Sequence, residues 1–269
     1  MTELVLNISE IAIITGDNQY KTKREYLIDF WKKNVKDDYT KYKKETEFIK
    51  ETDEEVIIKI ASKNNIDIAH ELKKCALSKN TCDLNNLKKD ILGKIDKLPE
   101  NEKKEITKSI SNVTNTKYGI KNENDVTKLY EIKTKQTILK DNKYHKIKIL
   151  ENDNYIVLIG GKIDGINNET KNIIEVKNRV HKLFFELREY EKVQIMCYMY
   201  LFGSLKGHLV EAHKKKDNTE INIIEVDFDK SYMQNILNKI IIFIEYFIKF
   251  INNHEMKINL LTKNDEIDF

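Results

Sequence analysis

The stretch Gly160-Gly161-Lys162-Ile163-Asp164-Gly165, followed by Ile173-Ile174-Glu175-Val176-Lys177, decides how the rest of this chain is read. Both segments are apolar runs interrupted by an acid, and Asn167-Asn168-Glu169-Thr170 between them is turn text. They read as two neighbouring strands. Side chains alternate along a strand, so Glu175 and Lys177 share one face and Val176 takes the other. Asp164 stands eleven residues before Glu175, and Ile163, Ile173 and Ile174 surround the acids with core text. Charge at the edge of a buried sheet is costly unless something compensates it.

Working outward, Gln194 lies nineteen residues beyond Glu175 and four before Tyr198, so Gln194 and Tyr198 share a face of one helix. Ile195, Met196, Cys197, Met199, Tyr200, Leu201 and Phe202 make that helix almost wholly apolar. A glutamine there needs a hydrogen-bonding partner, and the nearest candidates are Lys177, Glu175 or a phosphate. Together these residue types suit phosphodiester hydrolysis, which needs an activated water and neutralisation of developing charge. One or two Mg²⁺ ions on hard oxygen ligands supply both. Asp164 and Glu175 are the expected ligands, the Val176 carbonyl is a further candidate, and Mn²⁺ is expected to substitute. Lys177 is suited to orient the attacking water or to offset charge in the transition state. Glu123, early in the helix that precedes the strands, would by position alone merely complement the helix dipole. In this context its carboxylate is a candidate ligand for a second metal.

Composition narrows the alternatives. The chain has 269 residues, 40% of them hydrophobic, enough for one domain with a sizeable core. Its 47 Lys+Arg against 44 Asp+Glu give a net charge of +3, so any DNA contact must come from a local basic groove. Cys75, Cys82 and Cys197 have neither the number nor the spacing of a disulfide framework or zinc site, and are expected to be reduced thiols of an intracellular protein. Met1–Asn7 lacks the features of a secretory signal. The most apolar run, 240–251, is too short to span a bilayer and includes Glu245 and Lys249, so it reads as a core helix and no membrane partner is expected.

The remaining text divides into helices and strands. Ser9 is a cap candidate for a helix closing at Gly16, and a second helix is expected over 23–33 with Tyr26, Leu27, Phe30 and Trp31 on one side. From 36 to 112 the chain is charged and helical and reads as an insertion. Leu84, Leu87, Ile91, Ile95 and Leu98 form one stripe after the cap candidate Asp83, and Ile66, Ala69, Leu72 and Ala76 form another. A helix over 119–132 opens the catalytic core, taken as 113–252. Strands are expected over 136–140, 145–151, 155–166 and 172–177, a helix over 187–202, strands over 208–213 and 221–227, and a final helix over 231–252. The expected fold class is α/β, a mixed central sheet flanked by helices.

Five motifs in order carry a resemblance. Ser9-Glu10-Ile11-Ala12 through Gly16 with Tyr20-Lys21-Thr22, then Gly119-x-x-x-Glu123 with Leu129-Tyr130-Glu131, then Asp164-Gly165, Glu175-x-Lys177 and Gln194-x-x-x-Tyr198 run over most of the chain. The chain thereby resembles the lambda-exonuclease-like, YqaJ-type viral recombinase branch of the PD-(D/E)xK nucleases, whose core is restriction-endonuclease-like. The resemblance implies Mg²⁺-dependent digestion of DNA, 5′-to-3′ on duplex ends in the best-known members, preparing strands for recombination with an annealing protein. It also implies a virus or phage setting within an infected cell and, for some members, a ring-shaped trimer. Ile163 replaces the usual proline before Asp164. The arginine that binds a 5′-phosphate upstream of the Ser-Glu motif is missing, leaving Lys21, Lys23 or Arg24 as substitutes. Ser9, Lys162, Arg179, His181, Arg188 and Lys192 are further candidate DNA contacts. A RecB-like single-strand exonuclease, a structure-specific endonuclease and a non-catalytic DNA-binding module are the competing readings.

Overall fold

Parallel pairing places the first strand of the molecule. In the computed structural model, which describes residues 2–216, 218–263 and 265–269, strand β1 (Thr2–Asn7) buries Leu4 and Leu6 beside the strand Tyr155–Gly161. A 3-10 turn (Ile8–Glu10) and one helical turn, α1 (Ile11–Ile14), follow, ended by Gly16 at φ +83°. Ser9 thus sits inside the 3-10 turn and is exposed; the positions before the turn and before α1 are Asn7 and Glu10, neither with a side-chain cap bond. The alternation in Thr2–Asn7 is only six residues long, which is why β1 was not expected from sequence.

Helix α2 (Lys23–Asn34) starts at a capping box in which Thr22 and Glu25 satisfy each other's backbone N–H groups. Helices α3 (Lys36–Glu45), α4 (Asp53–Lys63), α5 (Ala69–Leu77) and α6 (Thr81–Ile95) lead to α7 (Glu100–Thr134). Asn80, not Asp83, caps α6, with its side chain accepting from the Asp83 N–H. None of the second expected stripe is fully buried: Ile66, Leu72 and Ala76 are partly buried and Ala69 is exposed, while the neighbouring Ile68 and Cys75 are the buried residues of this segment. Helix α7 runs without a break through the expected boundary at 112, so its 119–132 segment is the distal part of a longer rod.

The strands that follow are β2 (Ile138–Leu139), β3 (His145–Glu151), β4 (Tyr155–Gly161), β5 (Gly165–Asn167) and β6 (Ile173–Asn178). Helix α8 (Glu189–Phe202) stops at Gly203 (φ +65°), and β7 (Lys206–Lys214), β8 (Thr219–Asp227), α9 (Lys230–Ile251) and α10 (His254–Thr262) complete the chain. The expected central sheet is two sheets, β1-β4-β3 and β2-β5-β6-β7-β8, the second with β6 and β7 parallel and its other pairs antiparallel. The strand expected over 155–166 breaks at 162–164, and that break is the seam between the sheets. The class is mixed α/β, sheets covered by helices.

Two cores result. The larger joins β1, β4, α1, α2, α8 and α9, and takes Ile236, Ile240, Phe243 and Phe247 from α9 as expected. It also takes Tyr39 and Tyr42 from α3, so α3 packs with the main body. The second core, with Val56, Ile60, Leu84, Ile91 and Ile106, holds α4–α7 together. No described helix is long and apolar enough to cross a membrane.

Trp31 is fully buried, its ring edge-on to Tyr39 (5.3 Å) and Phe250 (5.0 Å), and its indole N–H donates to Asp38 at 2.8 Å. Trp31→Ala removes that contact area and one hydrogen bond and should destabilise the fold by about 3–5 kcal/mol, read by urea unfolding.

Candidate active site

The seam between the sheets exposes a strand edge that must be satisfied. Strand β5 pairs with β6 only at Gly165–Ile174 and Ile166–Ile173, so beyond Ile174 the β6 edge has no ladder partner on that side. The Asp164 carboxylate takes its place: Oδ2 accepts the Val176 N–H at 2.7 Å. A strand residue's N–H and C=O point to the same edge. The Val176 carbonyl therefore faces the Asp164 side as well.

Glu175 and Lys177 project from the opposite face of β6 toward α8. Lys177 Nζ donates to Glu175 Oε1 (2.8 Å) and to Gln194 Oε1 (3.0 Å), and Gln194 Nε2 donates to the same Glu175 oxygen at 2.8 Å. The three side chains close a triangle, and the glutamine foreseen as needing a partner has two. Glu175 Oε2 is buried and accepts nothing. One turn along, Tyr198 donates to the Lys162 carbonyl at 2.7 Å, which fixes the turn leading to Asp164. A Cβ at Gly161 would come within 2.9 Å of the Tyr198 ring, so this close approach requires glycine.

Glu123 approaches from α7 on the other side of the sheet. Asn178 Nδ2 donates to the Gly119 carbonyl at 2.9 Å, tying β6 to α7 one turn before Glu123. Burial raises the Glu123 carboxyl pKa, and the nearby Glu175 charge raises it further. Burial also pushes Asp164 up to about 6, with Glu123 adding to it, and Glu175 up to about 7 despite Lys177. Burial opposes the Lys177 charge, but the Glu175 carboxylate outweighs it and raises the ammonium pKa. Two acids held against ionisation, one with an orphaned buried oxygen, suit a divalent cation, which would relieve both costs. Among the described residues no three His, Cys, Asp or Glu side chains are already gathered as a ligand cluster. The fit rests on Asp164, Glu175 and the Val176 carbonyl, with Glu123 as the coupled neighbour.

Of the candidate DNA contacts, Lys162 is exposed beside the site and Arg188 is exposed on the loop before α8. Arg188 pairs with Glu186 at 3.0 Å. Lys21 is held by Glu10 (2.7 Å) and Asp29 (2.9 Å), and Arg24 donates to the Leu260 carbonyl at 2.6 Å, against α10. Lys192 lies over the Tyr232 ring, while His181 is exposed.

Arg179 corrects the expectation. It is buried and not a surface phosphate contact: Nη1 and Nη2 donate to Glu191 (2.7 and 3.0 Å) and Nε to Glu211 (2.8 Å). Burial opposes its charge, but the two carboxylates more than compensate and raise its pKa. Glu191 and Glu211 were missed, as was Asn178. The available signal was an acid inside the apolar Gly207–Ala212 text and another three residues before Gln194 on a buried helix.

No protein-family model and no curated protein matches the sequence. Solved structures do resemble it. The alkaline exonuclease LHK-Exo from Laribacter hongkongensis, solved alone and with dAMP, is 12% identical over 68% of this chain and 88% of its own, with a TM-score of 0.42. A phage-related exonuclease from Haemophilus somnus 129PT is 15% identical over 51% of this chain and 72% of its own, with a TM-score of 0.40.

Three outcomes follow from the buried charges. Acids with folded-state pKa values above their unfolded ones keep a proton that the unfolded chain has lost, so metal-free stability falls as pH rises from about 4 through about 7. Metal binding runs the other way: apparent Mn²⁺ affinity should drop about tenfold per pH unit for each displaced proton below pH 7, measured by calorimetry. A flat affinity from pH 8 to 5.5 would contradict the assignment of Asp164 and Glu175. Arg179→Met, which leaves two buried carboxylates without their cation, should cost about 3–5 kcal/mol in denaturant unfolding. In outline, the chain is similar to solved exonucleases.

Proposed function

We propose that this chain is a metal-dependent DNA nuclease, an exonuclease of the lambda-exonuclease-like branch of the PD-(D/E)xK fold. The observation that carries the proposal is the Glu175–Lys177–Gln194 triangle, set beside an Asp164 that reaches the same strand across the seam. Asp164, Glu175 and the Val176 carbonyl would hold Mg²⁺ or Mn²⁺, with Glu123 serving a second ion. The bound cation would neutralise charge on the phosphodiester and acidify a water.

The protein's own groups account for the rest. Lys177 keeps its proton at neutral pH, because the Glu175 carboxylate stabilises the charge. Its Nζ, fixed by two acceptors, offers a remaining N–H to the attacking water or to a phosphate oxygen. Gln194 holds both Lys177 and Glu175 in place, so neither needs to reorganise during reaction. Tyr198 holds the Lys162 carbonyl and with it the approach of Asp164. Lys162 is exposed to meet a backbone phosphate, and Arg188 would have to exchange its Glu186 partner to do the same.

Cleavage of duplex ends in the 5′-to-3′ direction, a role in recombination or repair of viral DNA, and assembly as a trimer are proposed on the sequence resemblance. Arg24 gives one Nη hydrogen bond to the Leu260 carbonyl, which holds it against α10; Lys162, exposed beside the proposed cation site, is the end-binding cation we favour.

Lys177→Ala should abolish cleavage of linear duplex in Mg²⁺, by at least about a thousandfold, while circular dichroism and DNA affinity stay near wild type. Undiminished cleavage would remove Lys177 from the mechanism. A time course on 5′-labelled and 3′-labelled duplex, with EDTA as control, reads the polarity.

A further inference from the structure

Between β6 and α8 the chain forms a loop over 179–188 that begins two residues after Lys177. Its backbone is pinned from beneath by Glu211, a fully buried carboxylate that stands in register with Lys177 on the adjacent strand. Glu211 accepts the Phe184 N–H at 3.2 Å and the Phe185 N–H at 2.9 Å, and also takes Arg179 and Asn222. The Phe184 ring is occupied: the guanidinium groups of Arg179 and Arg188 lie 4.3 and 4.4 Å from its centroid. The Phe185 ring is not. It is 69% exposed, and its backbone is in the left-handed region at φ +59°.

Exposed apolar side chains are common, and Ile49, Ile132 and Leu205 are more exposed than Phe185. What separates Phe185 is the cost of its placement. A bulky residue at positive φ is strained, and strain persists only where the surroundings impose it. Here a buried Arg179–Glu191–Glu211 lattice imposes it, beside the strand that carries the proposed catalytic lysine. The result is a loop held at Phe184 and Phe185 that presents one aromatic face to solvent, with the exposed Lys182 on the same segment.

We propose that Phe185 is a stacking platform for an unpaired nucleobase of the DNA strand engaged at the neighbouring site; this rests on the nuclease reading above. Aromatic faces with interleaved cations bind single strands in this way, because every base has a π-face and every nucleotide a phosphate. The preferred substrate feature is therefore a frayed or single-stranded terminus, and the base is held by its ring and not by its edge, so sequence preference is weak.

The test uses a single-stranded oligonucleotide carrying 2-aminopurine, bound to the full chain in EDTA so that no strand is cut. Wild type should quench the fluorescence. Phe185→Ala should lose the quenching and weaken Kd by about tenfold, and Phe185→Trp should keep both. Phe185→Gly relieves the positive φ, so it should melt at a higher temperature than wild type yet bind as poorly as Phe185→Ala. Equal quenching by wild type and Phe185→Ala overturns the proposal. So does unchanged affinity with an altered sedimentation profile, which would make Phe185 a contact between copies of the chain. Cleavage of duplex in Mg²⁺ by wild type without any quenching overturns the stacking alone; loss of both overturns the nuclease reading with it.

Discussion

The hydrogen bond from the Val176 N–H to the Asp164 carboxylate is the contact on which the arrangement of this molecule depends. It sits where one sheet ends and the next begins, and it substitutes a side chain for a missing strand. A backbone donor at a buried sheet edge must be paired, and here the pairing brings an acid to within one residue of Glu175 on the same strand. The sheet break and the assembly of the two acids are therefore the same event. Gly161 and Gly165, on either side of the break, admit Tyr198 and Ile138 where a Cβ would collide.

Around that contact the protein buries charge in two layers under α8. The inner layer is Glu175, Lys177 and Gln194; the outer is Arg179, Glu191 and Glu211. The outer layer is fully paired, with bidentate geometry at Glu191 and five hydrogen-bonded contacts shared among its members and the loop, the conditions under which a buried ion network repays its desolvation. The inner layer is not, because Glu175 retains an oxygen with nothing to accept. The outer network is thus complete in itself, while the inner one keeps an acceptor free on the side of the proposed cation site.

Helix α7 links the two bodies of the fold. Its first half, with Ile106 and Ile110, belongs to the core of the helical insertion, and its second half packs Val126 and Tyr130 against β6 and β7. Glu123 lies at the join, indexed to β6 by the Asn178–Gly119 bond. The insertion is thereby coupled mechanically to the position of one candidate ligand, and α4 packs along the same rod.

Much of this was legible in the residues themselves. Period-2 text placed β3, β6, β7 and β8, period-3.6 text placed α2, α6, α8 and α9, and the positive φ of Gly203 ended α8 where a glycine stop was read. That Glu175 and Lys177 share a strand face, and Gln194 and Tyr198 a helix face, was also legible, because periodicity decides faces within one element; that the two faces meet was decided by packing. Long-range pairing was not. Strand β1 exists only because β4 lies beside it, α10 because α3 and α9 support it, and the break at 162–164 only because two sheets meet there. Arg179 shows the limit most directly: its charge was readable, but its partners lie 12 and 32 residues away and reach it only once β7 and α8 are folded over it. Local periodicity is a property of consecutive residues, and so it fixes the longer elements and the face each side chain takes within its own element. Burial and ion pairing are properties of elements brought together across the chain, and only the tertiary structure decided them.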